Sequence, residues 1–92
     1  MTAPVPVQVL LPAALLRLFP GAPRQVALPA ATVAEALAAL DRRWPGMRDR
    51  LCDSTPAIRR HLKVFVDGEP ASLGTALRPG AEMLVTTAIS GG

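Results

Sequence analysis

The sequence predicts an α+β fold: a mixed sheet of about four to five strands with one face packed on a single main helix. Three observations carry that expectation. Apolar residues spaced three and four apart, the helical period, recur at Val33, Ala36, Leu37 and Leu40. Period-two alternation stands on either side of them, at Val5–Leu11 and at Leu62–Val66. At 92 residues the chain has room for one domain and one modest core, so the strands must find their cover in that helix.

In chain order, Val5, Val7, Val9 and Leu11 alternate with Pro6, Gln8 and Leu10, as in a half-buried strand. Pro6 offers no N–H to a ladder, so that end is expected at an edge or facing solvent, and Pro12 stops the strand. The stretch AALLRLFPGAPR is compatible with a short helical turn at Ala13–Phe19. Pro20-Gly21 and Pro23 then mark a turn before a second strand at Gln25–Leu28. Thr32-Val33-Ala34-Glu35 is a capping box: the Thr32 hydroxyl accepts from the N–H of residue 35, and Glu35 reaches back to the N–H of residue 32. The helix that follows has about three turns. It carries Asp41, Arg42 and Arg43 at its exposed end and closes at Trp44-Pro45-Gly46. Met47–Leu51 reads as a second short helical turn with Leu51 inward, and Asp53-Ser54-Thr55-Pro56 as a loop. In the third strand Leu62, Val64 and Val66 alternate with Lys63, Phe65 and Asp67. Asp67-Gly68 signals a tight turn into a short strand around Pro70–Leu73. A loop containing Thr75–Leu77 and Arg78-Pro79-Gly80 leads to a last strand from Glu82 to Ala88.

Composition narrows the function classes. Half the residues are hydrophobic, which sets disorder aside despite ten prolines. The aromatic residues are Phe19, Trp44 and Phe65, so the core is expected to be built of Leu, Val, Ile and Ala. The net charge of +3 is concentrated in residues 41–63, where Arg42, Arg43, Arg48, Arg50, Arg59, Arg60 and Lys63 outnumber Asp41, Asp49 and Asp53. No nucleic-acid motif or aromatic interleaving accompanies that charge, so no nucleic-acid partner is expected. A solvated face fits better, or an acidic protein partner met by Arg42, Arg43, Arg48 and Arg50. The single cysteine excludes a disulfide framework, a four-cysteine zinc site and a cysteine-ligated iron–sulfur cluster. Cys52 beside Leu51 reads as a buried, inert thiol, and His61 among Arg59, Arg60 and Lys63 as a surface residue. The start MTAP lacks the positive region of a secretory signal. Pro6, Gln8, Pro12 and Arg17 break the apolar stretch from Val5 to Phe19, so no membrane span is expected and the protein reads as cytoplasmic.

The element order is strand, strand, helix, strand, short strand, strand. A sheet of that order can set its first and last strands side by side and parallel, with the helix across them. This is the β-grasp, or ubiquitin-like, arrangement. It is expected over residues 1–87, followed by a flexible tail, 88–92, that ends in Gly91-Gly92. A terminal glycine carboxylate has no Cβ beside it, so its carbonyl carbon is open to approach. Gly91 adds the backbone freedom needed to thread a narrow channel. The tail, Ala88 to Gly92, spans at most about 17 Å at roughly 3.3–3.6 Å per residue. Ordering it costs about 1–2 kcal/mol per residue, so affinity must come from another surface. The outward positions of the central strands, Leu10, Phe65, Leu84 and Thr86, are the candidates for docking, with Ala88, Ile89 and Ser90 held in the partner's channel.

Five pieces in this order, VPVQVLLPAALLR, LPAATVAEALAALDRRWPGM, KVFVDGEPA, RPGAEMLV and the closing GG, resemble the MoaD/ThiS family of ubiquitin-like sulfur carriers over nearly the whole chain. Thr87 departs from the pattern, since many relatives carry proline there. The resemblance implies a carrier that is a co-substrate and not an enzyme, with no bound cofactor. An activating enzyme of the MoeB/ThiF type uses ATP to convert the Gly92 carboxylate, a poor electrophile, into an acyl-adenylate. Sulfur from a persulfide or rhodanese-type donor then displaces AMP and leaves a thiocarboxylate for an acceptor enzyme. The segment Trp44–His61 and the ending AISGG resemble the branch that serves cysteine synthesis, with molybdopterin synthesis next. Two other functions fit the same chain: a ubiquitin-like modifier joined through Gly92 to target lysines, and a non-catalytic interaction module.

Overall fold

The computed structural model describes residues 5–53 and 57–87; the MTAP start, all of the expected 53–56 loop but Asp53, and the expected tail at 88–92 lie outside them. The elements are β1 (Val7–Leu10), α1 (Ala13–Leu18), β2 (Gln25–Leu28), α2 (Val33–Arg43), α3 (Met47–Leu51), β3 (Leu62–Val66), β4 (Glu69–Pro70) and β5 (Glu82–Thr87). Their spatial order in the sheet is β2-β1-β5-β3-β4. β1 pairs antiparallel with β2 and parallel with β5, and β3 pairs antiparallel with both β5 and β4. The first and last strands therefore lie together at the centre, as the β-grasp expectation requires.

Pro6 is accommodated differently from expectation. β1 is an internal strand, and its ladder begins at Val7, so Pro6 stands one residue outside it and its missing N–H removes no rung. The alternation otherwise sorts the side chains as expected. Val7, Val9, Val26, Leu28, Val64, Val66, Met83 and Val85 all point into one core.

α2 closes that core because its apolar stripe faces the sheet. Val33, Ala36, Leu37 and Leu40 are almost wholly buried, and each of the larger ones gains about 1.5–3 kcal/mol from leaving water. Its start is half the capping box that the sequence suggests. The Thr32 Oγ1 accepts from the Glu35 N–H at 3.2 Å, but the Glu35 carboxylate accepts from the Ala31 N–H at 3.3 Å and not from that of Thr32. The cause is long-range. Thr32 is bridged to Ala76, with Val33 N–H donating to the Thr75 carbonyl and Leu77 N–H to that of Ala31. The bridge holds the segment extended and turns the Ala31 N–H toward Glu35.

Asp41, expected simply at an exposed helix end, ties α2 to α3. Its Oδ1 accepts from the N–H groups of Gly46 at 3.0 Å and Arg48 at 3.1 Å. Gly46 between them has a φ of 96°, which glycine adopts without strain. This corner seats Met47 and Leu51 under the core beside Leu15 of α1. No polar or charged residue is buried among the described residues. The β3–β4 hairpin turns on Asp67 and Gly68, with φ of 50° and 84°, the positive pair that a two-residue hairpin loop demands. No helix among the described residues is long and apolar enough to cross a membrane.

Candidate functional site

The sheet face away from α2 carries the outward side chains in register. One row crosses all five strands: Gln25, Leu10, Leu84, Phe65 and Pro70 are successive Cα partners. The next row, two residues on toward the end of β5, pairs Thr86 with Lys63. The row on the other side sets Gln8 between Ala27 and Glu82, and the Gln25 Nε2 donates to the Gln8 Oε1 at 2.8 Å. Leu10, Leu84 and Phe65 thus form a short apolar band between Gln25 and Pro70, with Gln8 and Glu82 along one flank and Thr86 and Lys63 along the other. Leu84 is the most open of the three, at 39% exposure, while Leu10 and Phe65 are half-buried. The structure brings together all four outward positions that the sequence nominates: Leu10, Phe65, Leu84 and Thr86. Ala88, Ile89, Ser90, Gly91 and Gly92 lie outside the described residues.

A second concave feature was not visible in the sequence. A cavity of about 560 Å³ lies where β5 ends, lined by Leu15, Leu18, Arg50, Arg59, His61 and Thr87 among others. It gathers α1, α3 and the approach to β3, three segments that no local pattern connects. The one available hint was Leu18, three residues after Leu15 on a helix too short to bury both; Leu18 remains 53% exposed. Arg59 is fixed at the rim, since its Nε–H donates to the Asp49 carbonyl at 2.8 Å.

The remaining candidates are quiet. Cys52 is buried. Burial pushes its thiol above the ordinary value, against the opposing pull of the Arg48 guanidinium, so it is a weak nucleophile. His61 is exposed, as expected, and lines the cavity without a carboxylate bonded to it. Arg42, Arg43, Arg48 and Arg50 are all exposed. Among the described residues no three His, Cys, Asp or Glu side chains converge in a way that could hold a metal ion. What the described surface offers is recognition: an apolar band across the middle of the sheet and, where β5 ends, a groove lined by arginines.

Comparison with known proteins agrees with that geometry. The sequence model of the ThiS family matches residues 9–92. Among solved structures, a chain of the Amycolatopsis orientalis BexX/CysO complex is 27% identical with a TM-score of 0.81, over 94% of this chain and 99% of its own. SAMP1 from Haloferax volcanii is 30% identical with a TM-score of 0.76, over 94% of this chain and 98% of its own. Mycobacterium tuberculosis CysO shares the fold at 22% identity and a TM-score of 0.80, over 90% of this chain and 99% of its own. No curated protein sequence matches the chain. The family match over most of the length and the β-grasp sheet together lead to one conclusion: the chain belongs to the ThiS family of ubiquitin-like proteins, and its class of function is that of a small carrier or modifier.

Proposed function

We propose that this protein is a sulfur carrier whose reacting group is the Gly92 carboxylate. A MoeB/ThiF-type enzyme adenylates that carboxylate with ATP and releases pyrophosphate. The sulfur of a donor persulfide then attacks the acyl carbon and AMP leaves; cleavage of the S–S bond, with two electrons from a thiol, leaves a thiocarboxylate on Gly92. The acceptor enzyme takes the sulfur into a biosynthetic pathway, cysteine synthesis first and molybdopterin synthesis second. The observation that carries the reading is the family match, which runs through Gly92 itself. Residues 1–87 serve as the globular body and 88–92 as the reactive tail. Leu10, Leu84, Phe65 and Thr86 form the face on which the activating enzyme docks, and Ala88, Ile89, Ser90 and Gly91 lie in its channel. The chain needs no catalytic base of its own, because the partner supplies ATP and the groups that handle it, and the site of action is the cytoplasm. The likeness to a chain solved in the BexX/CysO complex supports a role carried out against a partner protein.

The likeness to SAMP1, a structure described as a small archaeal modifier protein, favours a second reading in which Gly92 is joined to lysines of target proteins. Mass spectrometry of the protein purified from its own host separates the two. Carriage yields a C-terminal peptide in which one carboxylate oxygen is replaced by sulfur. Tagging yields branched peptides with Gly92 on a target lysine. A terminal peptide found only as the free carboxylate, under conditions where the pathway is active, removes the support for both.

A further inference from the structure

The groove beside Thr87 lies on the helix side of the sheet and differs in character from the apolar band on the other face. Its seat is apolar, made by Leu15 and Leu18 of α1 and Leu62 of β3. Its rim carries the guanidinium groups of Arg50 from α3 and Arg59 from the approach to β3, with His61 among the lining residues; Asp49 is the carboxylate among them. Nearby, the Asp41 Oδ1 accepts from the backbone N–H groups of Gly46 and Arg48 and the Asp53 Oδ1 from that of Ala57; among the lining residues two guanidinium groups stand against one carboxylate. An apolar seat left half open, with Leu18 at 53% exposure, therefore adjoins an excess of positive charge.

The geometry points to this groove as a second docking site for the activating enzyme, taking a segment of it that carries a leucine-sized side chain next to a carboxylate. The inference rests on the functional reading above. Any enzyme that holds residues 88–92 must stand beside Thr87, and the groove is the surface it meets there. The apolar side chain fills the space between Leu15, Leu18 and Leu62, and the carboxylate meets the Arg50 and Arg59 guanidinium groups. Because Arg59 is already held by the Asp49 carbonyl, less side-chain freedom is lost when it pairs. The two surfaces divide the work: the apolar band supplies area, and the groove supplies charge that selects the partner.

The test uses the full chain, the purified MoeB/ThiF-type enzyme of the same host, and ATP, with pyrophosphate release as the readout. Leu18→Asp, Arg50→Glu and Arg50→Lys are compared with wild type. Leu18 and Arg50 are both exposed, and thermal melts check that each variant is folded. The expected result is a KM for the carrier raised at least about tenfold by Leu18→Asp and by Arg50→Glu, with kcat unchanged. Arg50→Lys restores most of the affinity, and the KM of Arg50→Glu depends less on salt than that of wild type. A KM within about twofold of wild type for both disruptive variants overturns the inference and leaves the functional reading standing. A KM that falls also overturns it, because the groove then seats this chain's own residues 88–92 and the variants release them. A wild-type chain that is never adenylated removes the functional reading and this inference with it.

Discussion

Leu84 occupies the middle of the apolar band, flanked in register by Leu10 and Phe65, and is 39% exposed in the free domain. Complete burial of a leucine side chain contributes about 1.5–3 kcal/mol, so covering that open fraction contributes about 0.6–1.2 kcal/mol to docking. In Leu84→Gln this gain is lost, and an amide is desolvated without a partner, which costs about 1–3 kcal/mol more. The sum, about 2–4 kcal/mol, corresponds to a dissociation constant raised roughly 30- to 900-fold. In the free domain the amide stays hydrated. The variant then loses only cross-strand contacts with its two neighbours, at about 0.2–1 kcal/mol each. Titration calorimetry with the purified activating enzyme reads the first quantity, and a thermal melt reads the second at about 4–8 °C per kcal/mol. An affinity within about twofold of wild type in a folded variant would show that the band does not touch the enzyme, and the docking assignment would fail.

Other outcomes follow from the same structure. Thr32→Ala removes the acceptor for the Glu35 N–H and lowers stability by about 1 kcal/mol, while Thr32→Ser keeps it; chemical denaturation compares the two. Gly68→Ala meets open space, so its cost is backbone strain alone at a φ of 84°. A loss of about 1–2 kcal/mol in urea melts is expected, and no loss would refute the hairpin geometry. Cys52 has a folded pKa raised above its unfolded value by burial. Its contribution to stability is therefore complete below the ordinary thiol pKa and fades as the pH rises through the folded value. The stability difference between wild type and Cys52→Ala should shrink toward alkaline pH, and a difference that grows there would contradict the assigned direction.

How much of this could be read from the chain depends on how local each cause is. The Gln25–Leu28 strand, the Asp67-Gly68 turn and the apolar stripe of α2 are set by residues within one turn or one hairpin, and all three stand where the pattern places them. The apolar band was legible for the same reason, because alternation alone puts Leu10, Phe65 and Leu84 on the far face. That they form one continuous row depends on register, which follows from the order of strands. The bond from Glu35 to Ala31 was not legible, since it depends on a bridge to Ala76, far along the chain. Asp41 offered no sign that it would cap the start of α3, because its partners lie beyond a turn whose path only the folded core determines. The groove beside Thr87 draws on three separate segments and has no signature at any single one of them.

The parallel union of β1 and β5 has a mechanical consequence. Its two strands leave the ladder at opposite ends, so tension between the front of the molecule and the far end of β5 slides one strand along the other. β5 is gripped by β3 on its remaining side as well. Under such a load the rungs must yield together, whereas a strand peeled from a margin gives way one rung at a time. Load applied at residue 87 is therefore met by the whole ladder at once.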